Sequence, residues 1–186
     1  MGRFFLPILH AVENAYYQVL VVGDSHVRRM AEVAYPFMPD CMAGVTVSFH
    51  HKGGAGVQFC WNIPADTKYD IIVLCIGSNN IANGMEPSDL FSRLNFHAGR
   101  CMDSGLCTEV IIMGLWPRAN RQYNAKMRVF NSFKSTDARI FFWKWSSHFR
   151  YRILPDRTHL RPHCCKRALK YLASPILHVI KYFLHK

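Results

Sequence analysis

Residues 71–76, Ile-Ile-Val-Leu-Cys-Ile, are six apolar side chains in succession with no polar break. A strand sends neighbouring side chains to opposite faces, so such a run must be covered on both. That is the form of a central strand in a parallel sheet with helices above and below it. Shorter strand-like segments recur at residues 19–22, 45–49, 110–113 and 139–143. Helix-like segments lie between them. One spans 27–34 and ends at Tyr35-Pro36. A second opens at Pro87, a residue suited to a first helical turn, and runs to Cys101. A third covers 121–133, and a basic helix runs from Pro162 towards Tyr171. Strand and helix alternate five times. Parallel strands joined by right-handed crossovers then predict a three-layer α/β domain with a five-stranded parallel sheet.

The length of 186 residues suits one domain with a full-sized core. Half the residues are hydrophobic and 19% are charged, a globular composition. The segment 1–18 reads as an N-terminal extension, 19–172 as the domain, and 173–186 as a basic-apolar tail. No apolar run approaches the roughly 20 residues of a membrane span. The apolar patch at 4–9 is followed by His10 and Glu13 without a small-residue cleavage site, so no secretory signal is expected. Leu6 excludes the myristoylation pattern at Gly2. The seven cysteines are odd in number and contain no CxxC pair. Buried reduced thiols in an intracellular, reducing compartment are the expectation. Zinc is not expected, because the histidines are scattered and His163-Cys164-Cys165 is too tight for a tetrahedral site.

Ligand sites in parallel α/β sheets form beyond the C-terminal ends of the strands. Ser25 follows the first strand, Gly54 the second and Asn79 the third, while Asp156 and His159 follow the fifth. The Gly23-Asp24-Ser25 string sets a hydroxyl where strand gives way to helix, among free backbone N–H groups. A serine hydroxyl is a poor nucleophile until an imidazole takes its proton and a carboxylate orients that imidazole. Asp156-Arg-Thr-His159 supplies both within one turn. Ser25 is therefore the candidate nucleophile, His159 the base and Asp156 the orienting acid. The Ser25 and Gly54 N–H groups and the Asn79 amide are candidate donors to an oxyanion. Each string also has a plainer use. Gly-Asp-Ser can cap a helix, Gly53-Gly54 and Asn79-Asn80 can be turns, and Asp156 can cap the C-terminal helix.

Taken in order, these pieces resemble the SGNH (GDSL-type) hydrolase family. Its first block matches Gly23-Asp24-Ser25, its second Gly54, its third Gly77-Ser78-Asn79 and its fifth Asp156-Arg157-Thr158-His159. The strand and loop at 111–118, ending Trp-Pro-Arg, are similar to the family's fourth strand and its exit. The resemblance covers about residues 19–172. It implies a flavodoxin-like fold, ester hydrolysis without metal or other cofactor, and an oxyanion hole from Ser25, Gly54 and Asn79. His26 stands where the family usually has Leu. Asn80 stands where it has an Asp that helps to order the loops. The C-terminal helix opens with Arg161-Pro162-His163 instead of the usual Asn-containing turn.

The leading reading is a serine esterase acting through an acyl-enzyme on a small-molecule, lipid or carbohydrate ester. The net charge of +11, crowded after Lys134, favours an anionic partner unless it is only a solvated basic face. The alternative reading is accordingly an SGNH-like domain with weak or no activity that binds nucleic acid or an acidic membrane. Apolar residues at Ile176, Leu177, Ile180, Phe183 and Leu184 have helical spacing. They suit core packing or a partner's groove before a membrane surface.

Overall fold

The computed structural model describes residues 17–37, 42–145 and 162–184. Five strands form one sheet: β1 (Tyr17–Gly23), β2 (Val45–His51), β3 (Tyr69–Cys75), β4 (Cys107–Met113) and β5 (Ile140–Trp143). Every pairing is parallel, in the order β2-β1-β3-β4-β5. The helices are α1 (Ser25–Phe37), α2 (Ser78–Ala82), α3 (Pro87–Asp103), α4 (Arg121–Phe130) and α5 (Pro162–Val179). This is the three-layer α/β architecture with a five-stranded parallel sheet, in the flavodoxin-like strand order.

The continuous apolar runs are explained by what covers them. Val19 and Val21 of β1, Ile71 and Val73 of β3, and Ile111 and Met113 of β4 face one core cluster with α1 and α5. Leu20 and Val22, Ile72 and Leu74, and Val110 and Ile112 face the other, with α3 and α4. Both faces are dry, so a strand-by-strand alternation of polar and apolar residues is absent where the sheet is central. β2, at the edge, does alternate between half-buried and exposed positions over most of its length.

Several element ends differ from the sequence reading. α1 runs on through Pro36 to Phe37. α4 stops at Phe130, three residues early, because the Asn131 side chain turns back to the exit of β4. Its Oδ1 accepts from Leu115 N at 2.8 Å and its Nδ2 donates to Leu115 O at 3.1 Å. α5 does not break at Pro175 but continues to Val179, followed by a π turn at Ile180–Leu184. Proline removes only one N–H from the ladder, and here the apolar face is continuous across it. Leu172, Ile176, Leu177 and Ile180 are all buried in the core. Residues 176–180 thus serve core packing. The six described cysteines are buried. Burial pushes the Cys60 thiol up to about 12, so it is a small apolar side chain at neutral pH. No helix among the described residues is long and apolar enough to cross a membrane.

The strand order reverses between β1 and β3, and crevices open at such switch points. The backbones there are close. A Cβ built on Gly23 lies 2.2 Å from Val27 Cγ2 and 2.5 Å from the Cys75 carbonyl oxygen of β3. The carbonyl belongs to a paired strand and cannot retreat. Gly99, inside α3, has nothing within 4 Å of its added Cβ. The two Gly→Ala substitutions are therefore predicted to have opposite signs. Gly23→Ala should lose about 1–3 kcal/mol or more from overpacking, and Gly99→Ala should gain roughly 0.5–1 kcal/mol from helix propensity. Urea unfolding midpoints of the two variants check this.

Candidate active site

Ser25 is the first residue of α1 and lies directly beyond β1. Asp24 sits between them, 2% exposed, and acts as the helix cap: its Oδ1 accepts from His26 N at 2.9 Å. The plainer use of this string is thus real, but it belongs to Asp24 and leaves the Ser25 hydroxyl out of that bond. The same carboxylate meets His26 Nδ1 at 3.2 Å, accepts from Ser78 Oγ at 3.2 Å, and has a long contact with Asn79 Nδ2 at 3.5 Å. Burial alone would raise the Asp24 pKa. The hydrogen bonds from His26 and Ser78, with the attraction of His26, outweigh it and hold the carboxyl below its ordinary value.

The loop after β2 is fastened to the same corner. Lys52 N donates to Gly23 O at 3.2 Å, and Ala55 N closes a turn on Lys52 O at 3.2 Å. Gly54, in that turn, has φ +73, a conformation that favours glycine. Asn79 Nδ2 then reaches across to Ala55 O at 3.0 Å. The exits of β1, β2 and β3 are in this way joined at one rim, and Ser25, Gly54 and Asn79 stand on it. Asp156 and His159 lie outside the described residues.

Asn80 has a definite role in the loop architecture. Its Oδ1 accepts from Val57 N at 2.8 Å, and a Cβ on Gly56 would come within 3.0 Å of the amide. The amide oxygen provides a lone pair to the loop after β2, as a carboxylate at this position would.

The fourth strand contributes through Arg118. Its Nη2 donates to Asn79 Oδ1 at 2.9 Å and to Ser78 Oγ at 2.7 Å. A guanidinium only donates, so the Asn79 oxygen must face it and the Asn79 NH₂ must face Ala55 and Asp24. Arg118 is held in turn by Asn124, whose Oδ1 accepts from Arg118 N at 2.9 Å and whose Nδ2 donates to Arg118 O at 2.6 Å. Its guanidinium carbon lies 5.0 Å from the Tyr123 ring centroid, and Tyr123 Oη donates to Trp116 O at 2.9 Å. His26 is 3% exposed, with its ring stacked 6.3 Å from Trp116, which stacks on Trp145 at 3.7 Å.

No family model matches the chain, and no curated protein matches it in sequence. Solved structures do match in shape. A mutant acetyl esterase crystallised with acetate ion superposes with a TM-score of 0.67 at 11% identity, over 89% of this chain and 98% of the other. A lipolytic G-D-S-L family member from Veillonella parvula gives 0.62 at 15% identity, over 91% and 99%. A family 3 carbohydrate esterase from Clostridium thermocellum gives 0.61 at 17% identity, over 89% and 98%. The fold is the SGNH hydrolase fold.

Within that fold, sequence reasoning put Ser25, Gly54 and Asn79 at strand exits, where they stand, but did not foresee the side-chain network around them. Ser78 and Arg118 were legible only as parts of longer strings, Gly77-Ser78-Asn79 and Trp116-Pro117-Arg118. The available signal was position: an arginine just beyond β4 falls on the same SGNH rim as the other strand exits. His26 carried no signal of its own, because only the buried Asp24 makes its ring nitrogen useful.

The Asp24 carboxylate has a measurable signature. Its folded-state pKa lies below that of the unfolded chain. Its stabilising contribution is therefore complete above about pH 4 and is lost as pH falls through the folded value. Asp24→Asn keeps the shape but presents an N–H where a lone pair is required. Asn can still cap α1, so the cost, about 1–3 kcal/mol at pH 7, comes from the charge and the acceptor lost on the Ser78 and Asn79 side. The gap between wild type and Asp24→Asn should narrow below about pH 4. Urea unfolding of both proteins at pH 7 and at pH 3 tests the sign, and an equal gap at both would contradict it.

Proposed function

We propose that the chain is a serine esterase of the SGNH type that hydrolyses a carboxylic ester through an acyl-enzyme on Ser25. The observation that carries the reading is the fixed Asn79 amide. It is locked between Ala55 O and Arg118, at the rim where the helix bearing Ser25 begins. Ester hydrolysis needs hydrogen-bond donors already in place where negative charge develops, and a donor that cannot rotate meets that need.

In this reading His159 takes the Ser25 hydroxyl proton as Oγ attacks the ester carbonyl carbon. Asp156 holds the imidazole in the tautomer that accepts it. The carbonyl oxygen becomes an oxyanion facing the Ser25 and Gly54 N–H groups and the Asn79 NH₂. Collapse breaks the bond to the alcohol, which leaves with the proton from His159. Water then attacks the acyl carbonyl, gives its proton to His159, and the acid departs as Ser25 recovers its own. One Asn79 N–H is used by Ala55 O. The other makes only the long Asp24 contact, so it is the one left to serve an oxyanion without the amide rotating. Asn80 leaves this reading intact, because the loop contact it makes needs a lone pair and not a charge.

A fluorophosphonate probe and a short-chain nitrophenyl ester test the proposal. Wild type should label and turn over. Ser25→Ala and His159→Ala should do neither, with folding confirmed by circular dichroism. Asn79→Ala should label slowly and lose about 10²–10³ in kcat, the usual effect of one oxyanion donor. A folded wild-type protein that neither labels nor hydrolyses would sink the reading.

A further inference from the structure

Beside Asn79 the surface opens into a cleft of about 470 Å³, whose lining includes Ile81, Gly84, Arg118, Asn120, Tyr123 and Lys126. Arg118 is the wall that this cleft shares with the Asn79 corner. Its two recorded hydrogen-bond acceptors, Ser78 Oγ and Asn79 Oδ1, are both neutral. Among the described residues no carboxylate pairs with it. The nearest carboxylate in its network, Asp24, is one hydroxyl away and already engaged by His26. Arg118 Nε is out of solvent and has no hydrogen-bond partner among the described residues. A guanidinium cannot shed its proton, so it keeps its full charge here.

The lining holds one further charge, of the same sign. Lys126 adds a second cation, which pairs at 2.6 Å with the exposed Glu86. No aspartate or glutamate lines the cleft among the described residues. Asn120, Gln122 and Tyr123 bring the first turn of α4 to it, and the positive end of a helix acts in the same direction. A half-buried cation with only neutral partners has lost water without gaining an anion, and a bound anion restores that loss.

We propose that this cleft is the subsite for an anionic group, a carboxylate or a phosphate, carried by the ester substrate. The proposal rests on the esterase reading of Ser25. The fixed guanidinium holds the Asn79 amide with its Nη2, and its charge draws the anionic end of the substrate to the same corner.

Two matched ester pairs test it on either side of the scissile bond. For the acyl side they are 4-nitrophenyl butanoate and the mono-4-nitrophenyl ester of succinic acid. For the alcohol side they are 4-methylphenyl acetate and 4-carboxyphenyl acetate. Gln122 is exposed and in the first turn of α4, where an acidic residue suits the helix. Gln122→Glu therefore folds and places a negative charge in the cleft. In at least one pair its preference for the carboxylate-bearing ester, read as the ratio of the two kcat/KM values, should fall roughly five- to tenfold. Lys126→Met should move the same ratio in the same direction by a smaller factor. Normal turnover with no change of preference in either variant overturns the anionic subsite and leaves the esterase intact. Binding of inorganic phosphate to wild type and Gln122→Glu, followed by calorimetry, separates the two ideas. If no ester is hydrolysed but phosphate binds wild type and not the variant, the anion site stands and the esterase falls. If no ester is hydrolysed and phosphate binds both equally or neither, both are overturned.

Discussion

A buried carboxylate holds the rim of strand exits in this fold together. Asp24 is almost wholly removed from water, and a charge in that position is tolerable only if its lone pairs are met. They are met by His26 from its own helix and by Ser78 from beyond β3, with Asn79 at longer range. Each such charge-assisted bond contributes about 1.5–3 kcal/mol, so strand exits that would otherwise end in independent loops are drawn to a common centre. A partly satisfied network of this kind costs more than an apolar one. The bonds therefore define one arrangement of the loops and penalise the others.

From Asp24 the connections run outward through Ser78 to Arg118, and from Arg118 back to Asn79 and on to Ala55. The path touches the exits of four strands. The sheet beneath is rigid because both faces are packed, and these bonds pass that rigidity to side chains that stand above it. Arg118 has a double position in the path. It fixes which way the Asn79 amide points, and its charge remains uncancelled by any carboxylate among the described residues. A lysine in its place could not hold the two N–H bonds of one planar nitrogen in fixed directions.

The fold was largely legible in the sequence because parallel strands buried on both faces read as uninterrupted apolar runs. What was lost lies at the ends. β4 begins at Cys107, before the point the pattern marks, because Thr108 and Glu109 interrupt the apolar run while Cys107 and Glu109 still pair with β3. β1 begins at Tyr17, where Gln18 N donates to Asp70 Oδ2 at 2.7 Å, a contact across 52 residues that no local pattern records. The site was legible to the extent that topology alone fixes it. Strand exits collect on one edge, so Ser25, Gly54 and Asn79 were bound to approach each other. The Arg118–Asn79 bond spans 39 residues and depends on a side-chain direction, which spacing does not encode. Asn80 shows the converse. Judged by type it departs from an acidic pattern, yet its amide oxygen makes a loop contact within reach of Val57 N.

The placement of these groups at the strand-order reversal has a physical consequence for any reaction carried out there. On either side of the reversal the chain leaves the sheet in opposite directions, to β2 from β1 and to β4 from β3, so the loops diverge and leave an opening. A divergent opening is accessible to a substrate but poor at holding donors still. Here the opening is bridged by side-chain bonds: Asn79 to Ala55 spans it from the β3 side to the β2 side, and Lys52 to Gly23 ties the β2 loop to β1. The cleft beside Arg118 lies outside that bridge, on the β4 side, where among the described residues no hydrogen bond joins its lining to the β2 loop. Access and rigidity are thus assigned to different strand exits, and the charge that can select a substrate lies on the boundary between them.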